Sequence, residues 1–466
     1  MSTTLKISAL AIALAAAFPA AAQSNAEILK ELQDLKAKVA DLERKLNTAN
    51  AAAKPAGAQW GMTPEQVKDL NRVAVKTEAL EDAVEAQGLK MLKISGFMDP
   101  TYLVNQRQHR AGFQFMNPIA LDPYSYDASY FGGAYLDLTK EMEGGTRWRL
   151  TLMPNRGTGS VIGDGSIVQE ASVSIPLGDL QTRFIAGQMP DWSGYEYQQA
   201  TLNKLITHNL LYDFTLPTLY TGAGMEYTRG KWLVKWMLNN MNTSKRNANE
   251  KAPALAYRVD YSKGEFEGFG FAGVHGKAAN FSGNVLDTDG NAVAQPDSRV
   301  DLFEADAYFI RGDLTWQGQL SYGRQRKASI TPAVDGTLRD ASWYGLSTLL
   351  AYKFIPRWEV VGRFDYLNNS KNGGGLLGYT SADDRNGIGP GMRLNEAGDA
   401  WEAIDPNKGS NRMALSVGLS YMYNLNTSFK AEYRMDRANQ PVFLDVRSGE
   451  YRKSNNVFGT SVVVSF

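Results

Sequence analysis

Three histidines and no cysteine are the chain's whole stock of soft or readily titrating side chains. His109 stands between Gln108 and Arg110, His208 between Thr207 and Asn209, and His275 between Val274 and Gly276. None lies at a ligand spacing from a second metal-binding side chain, and none accompanies a serine in a recognisable triad pattern. The lack of cysteine excludes disulfides, thiolate metal sites and a thiol nucleophile. Asp383-Asp384 is a carboxylate pair in a Gly- and Asn-rich stretch, where solvation is a simpler role than calcium binding. No catalytic residue, metal site or cofactor is expected. A hydrolase whose residues meet only in space is the alternative that spacing leaves open.

The informative charges are those that alternate with apolar residues. In 358–366, Trp358, Val360, Phe364 and Tyr366 share one face, while Glu359, Arg363 and Asp365 share the other. That is the period of two of a β-strand. Tyr344, Leu346, Thr348, Leu350 and Tyr352 repeat the design against Gly345, Ser347 and Ala351. Apolar faces with aromatic ends around an aliphatic middle suit a lipid-facing band between two interfacial girdles. The opposite faces then line a lumen. Arg147, Arg149, Arg183, Lys231 and Lys235 form a basic arc in the first half of the chain. Glu304, Asp306, Glu359 and Asp365 form a more acidic arc opposite, and Arg258 and Arg363 also face inward. A transverse field of this kind would orient dipolar solutes and hinder apolar ones.

The elements that must position these charges are strands. Segments of period two recur near 92–104, 130–141, 145–154, 165–176, 180–189, 219–229, 231–241, 253–263, 267–279, 300–311, 313–324, 341–353, 356–369, 411–423, 426–437 and 456–466. That predicts an all-β transmembrane antiparallel barrel of about sixteen strands, an even number as single-chain bacterial barrels require. From the first, the connections alternate long and short. The long ones include 105–129, 190–218, 280–299, 370–410 and 438–455, as external loops alternating with periplasmic turns demand. A soluble sandwich has no reason to alternate so regularly. The last segment alternates too, with Phe458, Thr460, Val462, Val464 and the terminal Phe466 on one face.

The third long connection is the candidate constriction. It carries Asp191, Trp192, Tyr195, Glu196, Tyr197, Lys204, His208, Asn209 and Asp213. Its aromatic content is too high for a freely solvated loop, which predicts packing inside the lumen.

Ahead of the barrel the pattern is different. Residues 1–22 have a charge at Lys6, an apolar run from Ile7 to Ala17 and small residues ending at Ala22, the layout of a secretory signal peptide. In 23–50, Ile28, Leu32, Leu35, Val39, Leu42 and Leu46 are spaced 4, 3, 4, 3, 4, a heptad seam that predicts a self-associating coiled coil. A helix packed on its own chain would show the same periodicity. Residues 51–62 read as an Ala-, Pro- and Gly-containing linker. Residues 63–91 read as a second helix, capped by Thr63 with Pro64 in its first turn.

Lys+Arg and Asp+Glu both number 49, so no basic field points to a nucleic-acid partner. The stretch Gly187-Gln188-Met189-Pro190-Asp191-Trp192-Ser193-Gly194-Tyr195-Glu196, preceded by 170–177, resembles a family of proteobacterial outer-membrane proteins defined only as a domain of unknown function. The overall plan also resembles trimeric porins with a coiled-coil extension, notably the sugar porins and the phosphate-selective porins. The resemblance implies a porin-like barrel in outer-membrane lipid, a homotrimer, and small hydrophilic or charged solutes as its cargo. It implies no particular solute. A barrel that tethers the membrane through its periplasmic coiled coil is the structural alternative.

Overall fold

The computed structural model describes residues 69–79, 89–115, 132–153, 167–217, 219–241, 253–278, 298–329, 337–371 and 388–466. The expected signal peptide (1–22), coiled coil (23–50) and linker (51–62) lie outside the described residues. Of the expected second helix, 69–79 is helical and 89–91 is not.

Alternation of side chains folds the rest into one antiparallel sheet that closes on itself. Its strands are β1 (Leu92–Met98), β2 (Thr101–Asn105), β3 (Arg110–Gln114), β4 (Ala134–Glu141), β5 (Arg147–Leu152), β6 (Val168–Leu177), β7 (Asp179–Pro190), β8 (Leu219–Arg229) and β9 (Trp232–Met241). There follow β10 (Ala254–Ser262), β11 (Glu267–Ala278), β12 (Ser298–Arg311), β13 (Leu314–Gln325), β14 (Ala341–Ile355) and β15 (Trp358–Asn368). Two small hairpins in the long connections, β16 (Met392–Leu394) with β17 (Trp401–Ala403) and β20 (Phe443–Asp445) with β21 (Glu450–Arg452), flank β18 (Arg412–Asn424) and β19 (Thr427–Ala438). The last strand is β22 (Ser454–Ser465). β1 and β2 form one stave and β3 and β4 the next, so the eighteen-stranded sheet is a barrel of sixteen staves.

Closure is made by β22, which pairs with β19 on one side and with β1 and β2 on the other. Phe466 completes the seam. Its N–H donates to the Gly96 carbonyl (3.0 Å) and its carbonyl accepts from the Gly96 N–H (3.2 Å). A closed sheet leaves no unpaired edge, the condition for a sheet to stand in hydrocarbon.

The second stave departs from expectation. The alternating pattern predicts a segment near 130–141 after one long connection. Instead, β3 follows β2 through a tight turn, and residues 115–133 are inserted before β4 resumes the same stave. The break lies at Asp99-Pro100. Pro100 has no N–H to give the ladder, and the Asp99 carboxylate accepts from the N–H groups of Gly132 (2.8 Å) and Gly133 (2.7 Å) instead.

Alternation sorts the two faces. On β15, Val360 and Phe364 are exposed while Glu359, Val361, Arg363, Asp365 and Leu367 are buried. On β18, Met413, Leu415, Val417 and Leu419 point out. Aromatics such as Trp232, Trp316, Tyr344, Tyr352 and Phe429 stand on the same outer face, giving the lipid-facing band that the sequence pattern requires. Short turns join β8 to β9 and β12 to β13. Gly230 (φ 59°) and Gly312 (φ 58°) hold the left-handed conformation there that a side chain resists.

The lumen is not simply polar. Leu210, Leu211, Phe214 and Leu216 from the connection after β7 pack on Met237, Met241, Val274, Leu302, Trp343 and Leu367 of the wall. This apolar core sits toward the strand ends that carry the long connections.

Candidate functional site

The connection between β7 and β8 folds into the barrel and ends in a short helix, α1 (Leu210–Thr215). Asn209 caps α1, its side-chain oxygen accepting from the Tyr212 N–H at 2.8 Å. The apolar side of α1 enters the core just described. The polar residues before it fasten the loop to β14, β15 and β19.

Arg363 of β15 is the centre of that fastening and has no exposed side-chain surface. It donates to Glu196 Oε1 (2.8 Å), to the carbonyls of Thr207 (2.7 Å) and His208 (2.9 Å), and to Asp365 (3.1 Å). Arg434 of β19 also reaches the His208 carbonyl (2.6 Å) and pairs with Asp436 (3.1 Å). Glu432 accepts from the N–H groups of Ile206 and Thr207, both at 2.8 Å, and from the Thr207 hydroxyl at 2.6 Å. Lys204 pairs with Glu359 at 2.8 Å. Lys430 donates to the carbonyls of Ala200 (2.7 Å) and Asn203 (2.6 Å). Tyr195 and Ser347 share a 2.6 Å hydroxyl contact, and Ser347 donates to Asp365. So Glu359, Arg363 and Asp365 lie beneath the loop rather than on an open wall.

The other side of the loop faces a cavity of about 740 Å³. Its wall is the sheet from β5 to β13, and it reaches Tyr261, Tyr308, Ile310 and Thr315 near the short-turn ends. Arg149 pairs there with Asp137 (2.8 Å) and Glu170 (3.3 Å). Arg258 pairs with Asp260 and Asp306, both at 2.7 Å, and donates to the Trp192 carbonyl at 2.6 Å. Lys235 lies 4.6 Å over the Trp192 ring, a cation–π contact, and stands opposite Glu226 in the ladder. Trp192 meets Tyr220 edge to face, and the Tyr220 hydroxyl donates to Asp191.

Residues 61–466 match a protein family described as a protein of unknown function, DUF3138. The chain belongs to the DUF3138 family. No curated protein matches it. Among solved structures it is similar to OmpT, an outer membrane protein of Vibrio cholerae, at 11% identity and a TM-score of 0.50, over 80% of this chain and 97% of that one. A loop L8 deletion mutant of the same protein gives the same identity and TM-score, over 80% and 99%. The outer membrane channel DcaP of Acinetobacter baumannii aligns over 80% and 97% at 9% identity and a TM-score of 0.48. At these identities the OmpT likeness is one of fold: a porin-type outer-membrane barrel.

In this DUF3138 protein the remaining expected wall residues divide by place. Arg147 pairs with Glu141 at 3.0 Å. Arg183 is buried, donating to the Ser174 hydroxyl and the Gly145 carbonyl, both at 2.6 Å. Lys231 is exposed at the turn after Gly230. Glu304 is buried on the lumen face beside Asp306 and Arg258. The expected basic and acidic arcs are not runs of bare charge: Arg147, Arg149, Asp306, Glu359 and Asp365 each contact an opposite charge, while Arg183 bonds to neutral oxygens and Lys235 rests over Trp192. The apolar inward residues, Met237, Met241 and Trp343 among them, were not anticipated. Their signal was available: apolar side chains on the inward face of a barrel strand require an apolar occupant of the lumen.

Burial sets the loop's titration, and the nearby arginines offset only part of it. Five carboxylates (Glu196, Asp213, Asp365, Glu432, Asp436) share the guanidinium groups of Arg363, Arg412 and Arg434. Burial pushes Glu196 up to about 7 against the pull of Arg363. Burial likewise pushes Asp213 up to about 7 against Arg434 and Arg363. Asp191 rises to about 6 through burial, opposed by its bond from Tyr220. His208 goes the other way, to about 3, because burial disfavours its cation and its 2.9 Å bond to the Tyr197 carbonyl offsets only part of that. It is a neutral ring stacked on Tyr212, with centroids 4.2 Å apart.

Proposed function

We propose that this protein is a passive diffusion channel of the outer membrane for small hydrophilic or charged solutes. In this reading its N-terminal stalk lies in the periplasm and joins three copies. One observation carries the proposal: the cavity between the inserted loop and the β5–β13 wall, lined by Arg149, Lys235, Arg258, Glu170, Glu226 and Asp306. Charges of both signs along a water-filled passage favour hydrated solutes over apolar ones. The reading is of a conduit, not a catalyst. Each histidine is engaged in a local bond: His109 with Asp445 (2.9 Å), His208 with the Tyr197 carbonyl and His275 with Asp301 (3.1 Å).

The apolar core favours a second reading. A lumen filled by α1 toward its external end suits a plugged barrel whose task is to tether the membrane through its stalk. Conductance of the refolded protein in a planar bilayer under a salt gradient separates the two. Discrete steps in multiples of three support a trimeric open channel, and the reversal potential gives its charge preference. Absence of steps from a barrel that still shows heat-modifiable gel mobility would overturn the channel and leave the tether.

A further inference from the structure

Most of the charges that line the cavity are engaged by partners of their own. Arg149 holds Asp137 and Glu170, Arg258 holds Asp260 and Asp306, and Lys204 holds Glu359. Glu196 meets Arg363, and Asp191 accepts from the Tyr220 hydroxyl and the Ser193 N–H. Glu226 of β8 and Lys235 of β9 differ from these. Both line the cavity and are half-buried, and among the described residues neither head group makes an ion pair or a hydrogen bond.

The two residues stand directly opposite each other in the ladder, on the same inward face. Opposite charges so placed attract and ordinarily pair. Here Trp192 of the inserted loop takes the Lys235 ammonium, which lies 4.6 Å over its ring. Trp192 is itself fixed, because Arg258 donates to its carbonyl and Tyr220 meets its ring edge to face. The cations on either side in the same row do not take Glu226. Arg183 donates to Ser174 and Gly145, and Arg258 keeps its two aspartates. An anionic and a cationic head group therefore lie side by side at the cavity with a gap between them. A lone anion would meet Lys235 but face Glu226, and a lone cation would have the reverse difficulty. A solute that carries both signs satisfies both groups and leaves the net charge of the cavity unchanged.

We propose that Glu226 and Lys235, held apart by Trp192, bind a small zwitterion, with the ammonium and carboxylate of a free amino acid as the recognised groups. The site rests on the channel reading, whose cavity it occupies. It is tested on the full chain in detergent micelles by saturation-transfer NMR titration at neutral pH. The probes are L-alanine, N-acetyl-L-alanine, which keeps only the carboxylate, and L-alaninamide, which keeps only the ammonium. The parent should bind alanine about tenfold more tightly than either derivative. E226Q should bind alanine and N-acetylalanine alike, and K235M should bind alanine and alaninamide alike. Heat-modifiable gel mobility reports that each variant folds, and the comparison of probes on the parent needs no variant. Equal binding, or none, of the three probes by the parent overturns the site, as does a full preference for alanine that survives in either variant. Planar-bilayer recordings of the same preparations keep the two readings apart. A preference for alanine without conductance steps keeps the site and overturns the channel, and steps without the preference do the reverse.

Discussion

Arg363 illustrates how single residues hold the loop in the lumen. It is wholly buried between Glu196 and Asp365 and spans the gap from wall to loop. Substituting Arg363→Met leaves two buried carboxylates without their nearest cation, a loss of about 3–5 kcal/mol for breaking a buried pair. The expected outcome is an unseated loop in an intact barrel, seen as protease cleavage within 191–218 and a larger conductance. Protonation acts at the same place. Glu196 and Asp213 have docked values of about 7, against about 4 when solvated. A raised carboxyl value favours the docked loop fully below about pH 4, and the benefit fades as pH rises through 7. Conductance should therefore fall several-fold on acidifying from pH 8 to pH 5. E196Q/D213N should flatten that response; an unchanged profile in the double variant would rule these carboxyls out as its source. His208, with its value near 3, stays neutral across this window and contributes nothing to it.

At the scale of the element, the inserted loop is held by two kinds of force. Its ion pairs fix where it lies, and the apolar side of α1 supplies the burial. Leu210 and Leu211 have no exposure, and Phe214 is 3% exposed. L211A should weaken docking by about 2–5 kcal/mol and F214A by about 3–5 kcal/mol. Both should raise conductance while leaving the folded band on a cold gel. Loss of that band would mean that α1 stabilises the barrel itself. The aromatic content of 191–218 was enough to suggest packing within the lumen. The identity of the strands it covers was not legible, because nothing local in the sequence relates Glu196 to Arg363 or Thr207 to Glu432.

For the whole molecule, closure is the decisive event. β22 completes ladders on both sides, and Phe466 bonds to Gly96 across the seam. Removing residues 461–466 would strip the end of β22 that meets β1 and Thr101, leaving unpaired N–H and C=O groups against lipid, several kcal/mol for each group. The truncated chain should lose its heat-modifiable compact form entirely. A compact form that persists would show that the seam is dispensable to the barrel. Substitutions in the loop, by contrast, should leave this form alone, so the two sets of variants separate closure from constriction.

The sequence by itself determined the sixteen staves, the alternation of long and short connections from β4 onward, and which face the strands turn to lipid. These follow from a strict period of two and from turn residues such as Gly230 and Gly312, all local properties. The tertiary structure alone decided which inward charges are paired, Arg147, Arg149, Asp306, Glu359 and Asp365 among them. It alone decided that Glu359, Arg363 and Asp365 lie under a loop, and that Met237, Met241 and Trp343 face an apolar filling. It also divided the second stave between β3 and β4. The physical reason is the same in each case: a residue's face is fixed by its neighbours in the chain, but its partner across the lumen is fixed by closure and by where the loop comes to rest.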